Sequence, residues 1–311
     1  MASVTHKQLR YFDALARHGH FGRAADACAI SQPALSMQIK ELEETLGGVL
    51  LERGARHVGL TQFGEEVAQR VRDILRSVDE LGDFARASRG RLAGRLRIGM
   101  IPTIAPYLLP TVSGTLTRMH PELEIHIRET LTPKLIEELA EGRLDTAIVA
   151  LPVSEPSLTE VALFAENFLL VRPGKDEGTP VPTSKALREM RLLLLEEGHC
   201  FRDQALSFCH MQSSPRELLD ASSLSTLVQM VSAGIGVTLI PEMAVAVETR
   251  SASVSVARFK NPQPSRTIGM VWRKTNPLAR QLLQISEVIC LSAEALRKQR
   301  TPGSSTRKPR T

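Results

Sequence analysis

Two cysteines stand nine positions apart in the run Glu196-Glu197-Gly198-His199-Cys200-Phe201-Arg202-Asp203-Gln204-Ala205-Leu206-Ser207-Phe208-Cys209-His210. A thiol reacts as its thiolate, which nearby positive charge favours, and His199 and Arg202 flank Cys200 within two residues. A second thiol downstream could capture an oxidised sulfur. These residue types read as a redox switch. If the run is helical when reduced, the two Cα atoms lie roughly 13 Å apart at about 1.5 Å rise per residue. A disulfide tolerates only about 4.4 to 6.8 Å between Cα atoms, so bridging the pair would have to break that helix. A local oxidation would then become a change of shape.

A metal is the rival use of the same residues, because His199, Cys200, Cys209 and His210 form a symmetric set of possible ligands. Structural zinc sites favour ligand pairs two to four residues apart, and adjacent His and Cys side chains converge poorly. No metal site is expected. The other two cysteines, Cys28 and Cys290, fall on apolar stripes and are expected as packed residues. Four cysteines in 311 residues are too few for a disulfide framework, and a reducing compartment keeps such thiols free.

A chain with 42% hydrophobic and 23% charged residues can bury a core and is not disordered overall. It does not open on a basic stretch followed by an apolar run, and it holds no uninterrupted apolar segment of about 18 residues. The expectation is a cytoplasmic protein without membrane association. The net charge of +5 invites a nucleic-acid reading, but residues 297–311 carry Arg297, Lys298, Arg300, Arg307, Lys308 and Arg310 with no acid, which is +6 and leaves the remainder at −1. The basicity is therefore mostly that of a tail, expected to be disordered.

Helical and strand periodicities divide the rest. Thr5 with Gln8 resembles a capping box before the stripe Leu9, Phe12, Leu15, which ends at Gly19. A second stripe runs from Phe21 to Cys28. Ser31 can cap a third helix, with Pro33 in its first turn and Leu35, Ile39, Leu42 and Leu46 on one face. The glycine-punctuated segment 52–60 reads as a small hairpin, or wing. Beyond a cap at Thr61, Val67, Val71, Ile74, Val78 and Leu81 step by four and three, a heptad seam that suits a dimerising helix. After Gly90 and Gly94, apolar runs at 96–101, 123–127, 146–151, 168–171, 192–195, 237–240 and 268–272 read as strands, with helix-length segments such as 109–119 and 133–141 between them. This alternation indicates α/β architecture in two lobes.

A helix-turn-helix needs one helix to brace the fold and a second whose amino-terminal side chains reach base edges. Residues 21–46 fit, with Ser31, Gln32, Ser36, Gln38 and Lys40 facing away from the apolar stripe. The stretch from Leu9 to Gly64, through Phe21-Gly22-Arg23-Ala24-Ala25, Ser31-Gln32-Pro33-Ala34-Leu35-Ser36 and Leu50-Leu51-Glu52-Arg53 to Leu60-Thr61-Gln62-Phe63-Gly64, resembles the winged helix-turn-helix of LysR-type transcriptional regulators. The resemblance implies DNA contacts from Ser31, Gln32, Pro33, Ser36 and Gln38, and from Arg53 and Arg56 at the wing. It also implies an α/β protein of the following plan: a winged helix-turn-helix over 1–62, a dimerising linker helix over 63–90, a two-lobed periplasmic-binding-protein-like regulatory domain over 91–296 and a basic tail over 297–311. The two lobes are expected at about 91–163 with 268–296, and at 164–267.

Within that family, Leu195 to Ala205 with Phe208-Cys209, Ile101-Pro102-Thr103, Pro106 to Pro110 and Arg266-Thr267-Ile268-Gly269 resemble the peroxide-sensing OxyR branch. By position the resemblance makes Cys200 the peroxidatic thiol and Cys209 the resolving one, with Thr103, Thr132, His199, Asp203 and Arg266 as the peroxide pocket. Thr132 competes with an ordinary helix-cap role. The implied partners are promoter DNA, RNA polymerase and hydrogen peroxide, in a homotetramer with no cofactor. Ala233-Gly234-Ile235-Gly236 precedes a strand and lacks dinucleotide-site context, so no nucleotide chemistry is expected. Three rivals remain: a regulator of this family that binds a small organic effector, a thiol peroxidase, and a periplasmic solute-binding protein.

Overall fold

The structure, a computed structural model, describes residues 3–52, 58–87, 93–209, 220–260 and 263–300. Its contacts fall into two units, one through Ala85 and one from Arg86 onward. The first unit comprises α1 (His6–His18), α2 (Phe21–Ala27), α3 (Gln32–Leu46), the antiparallel strands β1 (Leu51–Glu52) and β2 (Gly59–Leu60), and α4 (Gln62–Ala87) except for its last two residues, which fall past the division. Its helix ends are set by local chemistry. Thr5 and Gln8 cap α1 reciprocally, and Gly19 ends it in the left-handed conformation at φ 57°. The Ser31 hydroxyl accepts from the Ala34 N–H at 3.4 Å at the start of α3. The Thr61 hydroxyl accepts from the Gly64 N–H at 2.9 Å at the start of α4.

Phe12, Leu15, Leu35, Ile39 and Leu42 interlock as the core of this unit. The seam on α4 divides. Val67 and Val71 turn into that core, whereas Ile74, Val78 and Leu81 are 49%, 45% and 68% exposed. The tip of the wing, residues 53–57, lies outside the described residues, and with it Arg53 and Arg56.

The second unit alternates β3 (Gly94–Met100), α5 (Ala105–Met119), β4 (Leu123–Glu129), α6 (Thr132–Ala140), β5 (Thr146–Leu151), β6 (Leu158–Pro173), α7 (Ser184–Leu187), β7 (Leu192–Leu195), α8 (Cys200–Phe208), β8 (Asp220–Ala221), α9 (Leu224–Ser232), β9 (Val237–Pro241), α10 (Val245–Glu248), β10 (Val254–Ala257), β11 (Ser265–Arg273) and α11 (Ala279–Arg300). The strands form one path, β4-β3-β5-β11-β6-β9-β7-β8, with β10 also on β6. The pairs β3 with β4 and β5, and β7 with β8 and β9, are parallel, as strands joined by helical crossovers must be.

Strand β6 serves both lobes. Residues 158–167 pair with β11 in the first lobe, and residues 168–173 pair with β9 and β10 in the second. It starts ten residues ahead of the apolar run that marks it in the sequence, because Glu160, Glu166 and Asn167 interrupt that run. Strands β8 and β10 were not expected. Helix α11 takes in residues 297–300, which the sequence reading gave to the tail, while 301–311 lie outside the described residues. Gly236, part of the glycine pattern before β9, is needed for close packing: a Cβ there would sit 2.3 Å from the Arg191 carbonyl oxygen.

Candidate functional site: a thiol at a helix start between two lobes

Helix α8 opens at Cys200 because of the turn before it. Gly198 takes φ +91°, and a Cβ there would meet Leu131 Cδ1 at 2.9 Å. This turn puts His199 at the cap position and Cys200 at the first helical residue. Backbone N–H groups at such an end lack helical partners, and the positive end of the helix dipole favours an anion. His199 is buried, and burial holds its imidazole below the usual range, with Glu196 pulling weakly the other way. A ring neutral at neutral pH can donate at one nitrogen and accept at the other.

Cys200 borders a recess of about 10 Å³, lined by Ile101, Pro102 and Thr103 after β3, by Leu131 and Thr132 at the start of α6, and by residues 198–201 at the start of α8. That is space for roughly one water-sized centre. The recess lies between the lobes, so two helix starts face it. Thr103 is buried, and its hydroxyl accepts from Arg266 Nη1 at 2.9 Å while its carbonyl accepts from Nη2 at 3.2 Å. With a lone pair engaged in this way, the hydroxyl proton remains free to be donated. Arg266 is in turn bonded to Glu166 Oε2 through Nε at 3.0 Å and Nη2 at 2.8 Å, and it lies 5.3 Å over the Phe201 ring.

Thr132 does not cap α6. Leu131 occupies the cap position, and the Thr132 hydroxyl is buried without a hydrogen-bond partner among the described residues. The structure thus gathers Cys200, His199, Thr103 and Thr132 around one recess, with Arg266 bonded to Thr103. Asp203 is not among them. It is exposed one turn along α8, on a separate open cleft of about 430 Å³ with Phe168, Gln204, Ser207, Phe208, Pro264 and Ser265. Nor is Arg202 a charge beside the thiol, as its sequence position suggested. It is buried and donates to the Leu195 carbonyl at 2.7 Å and to Asp220 at 2.6 Å, tying α8 to β7 and β8. Glu166 escaped the sequence reading; its signal was its place opposite Arg266 in the strand register.

The second thiol is at the far end of α8. Cys209 caps the helix carboxyl terminus, is fully buried, and is pushed up to about 11 by burial against a weak opposing effect of Arg188. All four cysteines are free thiols. Nine helical steps separate this pair by roughly 13 Å, about twice what a disulfide spans. Cys28 and Cys290 are half-buried rather than core residues, and burial raises both thiols; Cys290 Sγ donates to the Leu163 carbonyl at 3.2 Å. Among the described residues no three potential metal ligands of the His, Cys, Asp and Glu types gather, and His210 lies outside those residues.

On the first unit, Ser31, Gln32, Pro33 and Ser36 are exposed along the start of α3. The Ser31 hydroxyl is engaged in its own helix cap. Gln38 is half-buried, and its Nε2 donates to Glu41 at 2.8 Å, so its amide is less free than Gln32.

Comparison with known proteins agrees with this two-part plan. Residues 6–65 match the bacterial regulatory helix-turn-helix of the lysR family, and residues 89–289 match the LysR substrate binding domain. A probable hydrogen peroxide-inducible genes activator of Streptomyces viridosporus is 44% identical over 298 residues, covering 93% of this chain and 94% of that protein. The DNA-binding transcriptional dual regulator OxyR of Escherichia coli is 41% identical over 288 residues, covering 91% of this chain and 94% of its own. A full-length OxyR mutant from Pseudomonas aeruginosa has a TM-score of 0.74 at 36% identity, covering 94% of this chain and 96% of that one. A hydrogen-peroxide-bound cysteine-to-serine mutant of Corynebacterium glutamicum OxyR has a TM-score of 0.67 at 33% identity, covering 99% of each. With both family models matched and relatives of this similarity along nearly its whole length, the chain belongs to the LysR family of bacterial transcriptional regulators, in its OxyR branch.

Proposed function

We propose that this chain is a DNA-binding regulator that senses hydrogen peroxide and activates antioxidant genes, switched by a reversible Cys200–Cys209 disulfide. The observation that carries this reading is the placement of Cys200 at a helix start on a recess of about 10 Å³, with its partner thiol buried at the other end of the same helix. The Cys200 thiolate attacks one peroxide oxygen. The S–O bond forms as the O–O bond breaks, the sulfur is oxidised to sulfenic acid, and the departing hydroxide takes a proton to become water. Thr103, Thr132 and His199 are the groups that can donate to the peroxide oxygens.

The sulfenic acid then condenses with the Cys209 thiol, forming the S–S bond and releasing a second water. This step requires α8 to unwind and Cys209 to leave the core. Oxidation is thereby converted into a rearrangement of the second lobe. The exposed seam on α4 supports pairing of two copies. Paired copies place recognition helices about 34 to 36 Å apart on successive major grooves. Assembly into a homotetramer and contact with RNA polymerase belong to the same reading.

The test is peroxide titration of promoter binding and of transcription by wild type and by Cys200→Ser. Wild type should respond while consuming about one peroxide per switched chain. Cys200→Ser should behave as permanently reduced. A response retained in Cys200→Ser would favour an organic effector, and sustained multiple turnover with a reductant would favour a thiol peroxidase. Peptide mapping after low peroxide should find Cys200 joined to Cys209, not Cys28 or Cys290 modified alone.

A further inference from the structure

We propose that Glu166 is a positioning residue for the peroxide reaction, acting through Arg266 to keep the Thr103 hydroxyl oriented for donation into the recess. The proposal rests on the peroxide-sensing reading given above. Glu166 lies on β6 directly opposite Arg266 on β11. Both side chains are buried, at 4% and 0% exposure, which makes them an ion pair removed from solvent. Such a pair is held only by good geometry and by satisfaction of the remaining hydrogen-bonding positions.

That satisfaction is visible on both sides. Glu166 Oε2 accepts two N–H groups of Arg266, and Oε1 accepts the Met243 N–H at 3.0 Å. The carboxylate is therefore pinned by the chain just after β9 in the second lobe. Arg266, its guanidinium held by Glu166 and set over the Phe201 ring, reaches the Thr103 hydroxyl through Nη1. Nη2 holds the carbonyl of the same residue. Thr103 is thus fixed at backbone and side chain, and a hydroxyl that accepts from Arg266 directs its own proton elsewhere. Glu166 itself does not line the recess.

The experiment measures two rates at Cys200 in the full chain: oxidation by hydrogen peroxide and alkylation by iodoacetamide. Alkylation needs the thiolate but not the peroxide donors. Glu166→Gln should slow oxidation by roughly tenfold or more, as loss of reactant orientation does, and leave alkylation within about twofold of wild type. In a Thr103→Val background, Glu166→Gln should add little further loss, since two residues acting through one contact are not additive. Equal slowing of both reactions, no slowing of oxidation, or a full second loss in that background would each overturn the proposal. If Glu166→Gln fails to fold, Glu166→Asp decides by the same comparison. It keeps the charge but is too short to hold Met243 and Arg266 together, so selective slowing supports the role, and unchanged or equally slowed rates refute it. Wild-type protein that alkylates at Cys200 but ignores peroxide would sink the sensing reading and this proposal with it; reactive wild type with unselective variants would sink this proposal alone.

Discussion

Cys209 closes the helix that Cys200 opens, so one thiol faces the recess and the other is sealed in the core by the same nine-residue segment. Helix α8 is a spacer as well as a scaffold. Phe201 packs edge-on against Phe168 at 4.8 Å, Phe208 does the same with Phe259 at 5.0 Å, and Arg202 ties the helix to its neighbouring strands. Each buried aromatic is worth about 1.5 to 3 kcal/mol of burial. In the proposed switch, closure of the disulfide gives up part of this packing, so the strength of α8 should govern the second step but not the first.

Ser207 is exposed within α8, and Ser207→Ala should strengthen the helix by roughly 0.5 kcal/mol. Disulfide closure should slow about twofold, with sulfenic acid formation unchanged. Rapid-mixing kinetics resolved by trapping free thiols would show this. A faster closure, or an equal effect on both phases, contradicts the spacer role.

Thr132 carries a buried hydroxyl without a partner among the described residues, an arrangement that costs stability unless something binds there. Thr132→Val keeps the shape and removes the orphan, so the protein should unfold at the same temperature or become more stable by up to about 1 kcal/mol. Its reaction with peroxide should fall by roughly tenfold. A variant that is both less stable and fully reactive would mean that the hydroxyl serves the fold.

Two titrations should bound the stability of the second unit. Burial holds His199 below its ordinary 6.5, so the unfolded chain takes up a proton that the folded one refuses, and stability falls as the pH drops below that value. Cys209 is pushed from 9.0 to about 11. The folded chain keeps that proton while the unfolded chain loses it, so stability also falls as the pH rises from 9.0 toward 11. Cys209 by itself contributes at most about 1.4 kcal/mol per pH unit to that slope, on top of what the raised Cys290 thiol adds. Urea midpoints followed across pH should show both edges, and Cys209→Ala should flatten the alkaline one. An unchanged alkaline slope in that variant would assign it to another group.

Gln32 is exposed at the start of α3 and free of the helix cap that engages Ser31. Gln32→Ala should weaken promoter binding by about 1 to 3 kcal/mol if it reads a base edge, with peroxide reactivity intact. A mobility-shift titration at fixed salt measures the first and thiol trapping the second. Loss of both would indicate misfolding.

Much of this was legible in the residues themselves. The capping box at Thr5 and Gln8, the cap at Ser31 and the apolar runs that became β3, β4, β5, β7 and β9 announce themselves because they are local. What was lost needed tertiary direction. Arg202 sits two residues from Cys200 in sequence but is aimed at β7 and β8, and Asp203 emerges on another face of α8. Chain adjacency does not say where a side chain points. The first half of β6 was hidden because Glu166 breaks its apolar pattern, and the carboxylate is tolerated there only because Arg266 stands opposite. The heptad seam counted apolar positions correctly but could not say that Val71 is covered by its own domain while Leu81 is left bare.

On the proposed reading, a recess with room for about one water-sized centre would sort oxidants by girth before any chemistry begins. Hydrogen peroxide is little wider than water and can thread in end-on. The branched carbon of a bulky alkyl hydroperoxide cannot enter without prying apart the starts of α6 and α8. Selectivity is then a matter of wall stiffness, and a variant that loosens those two helix starts would become indiscriminate even with every reactive group in place.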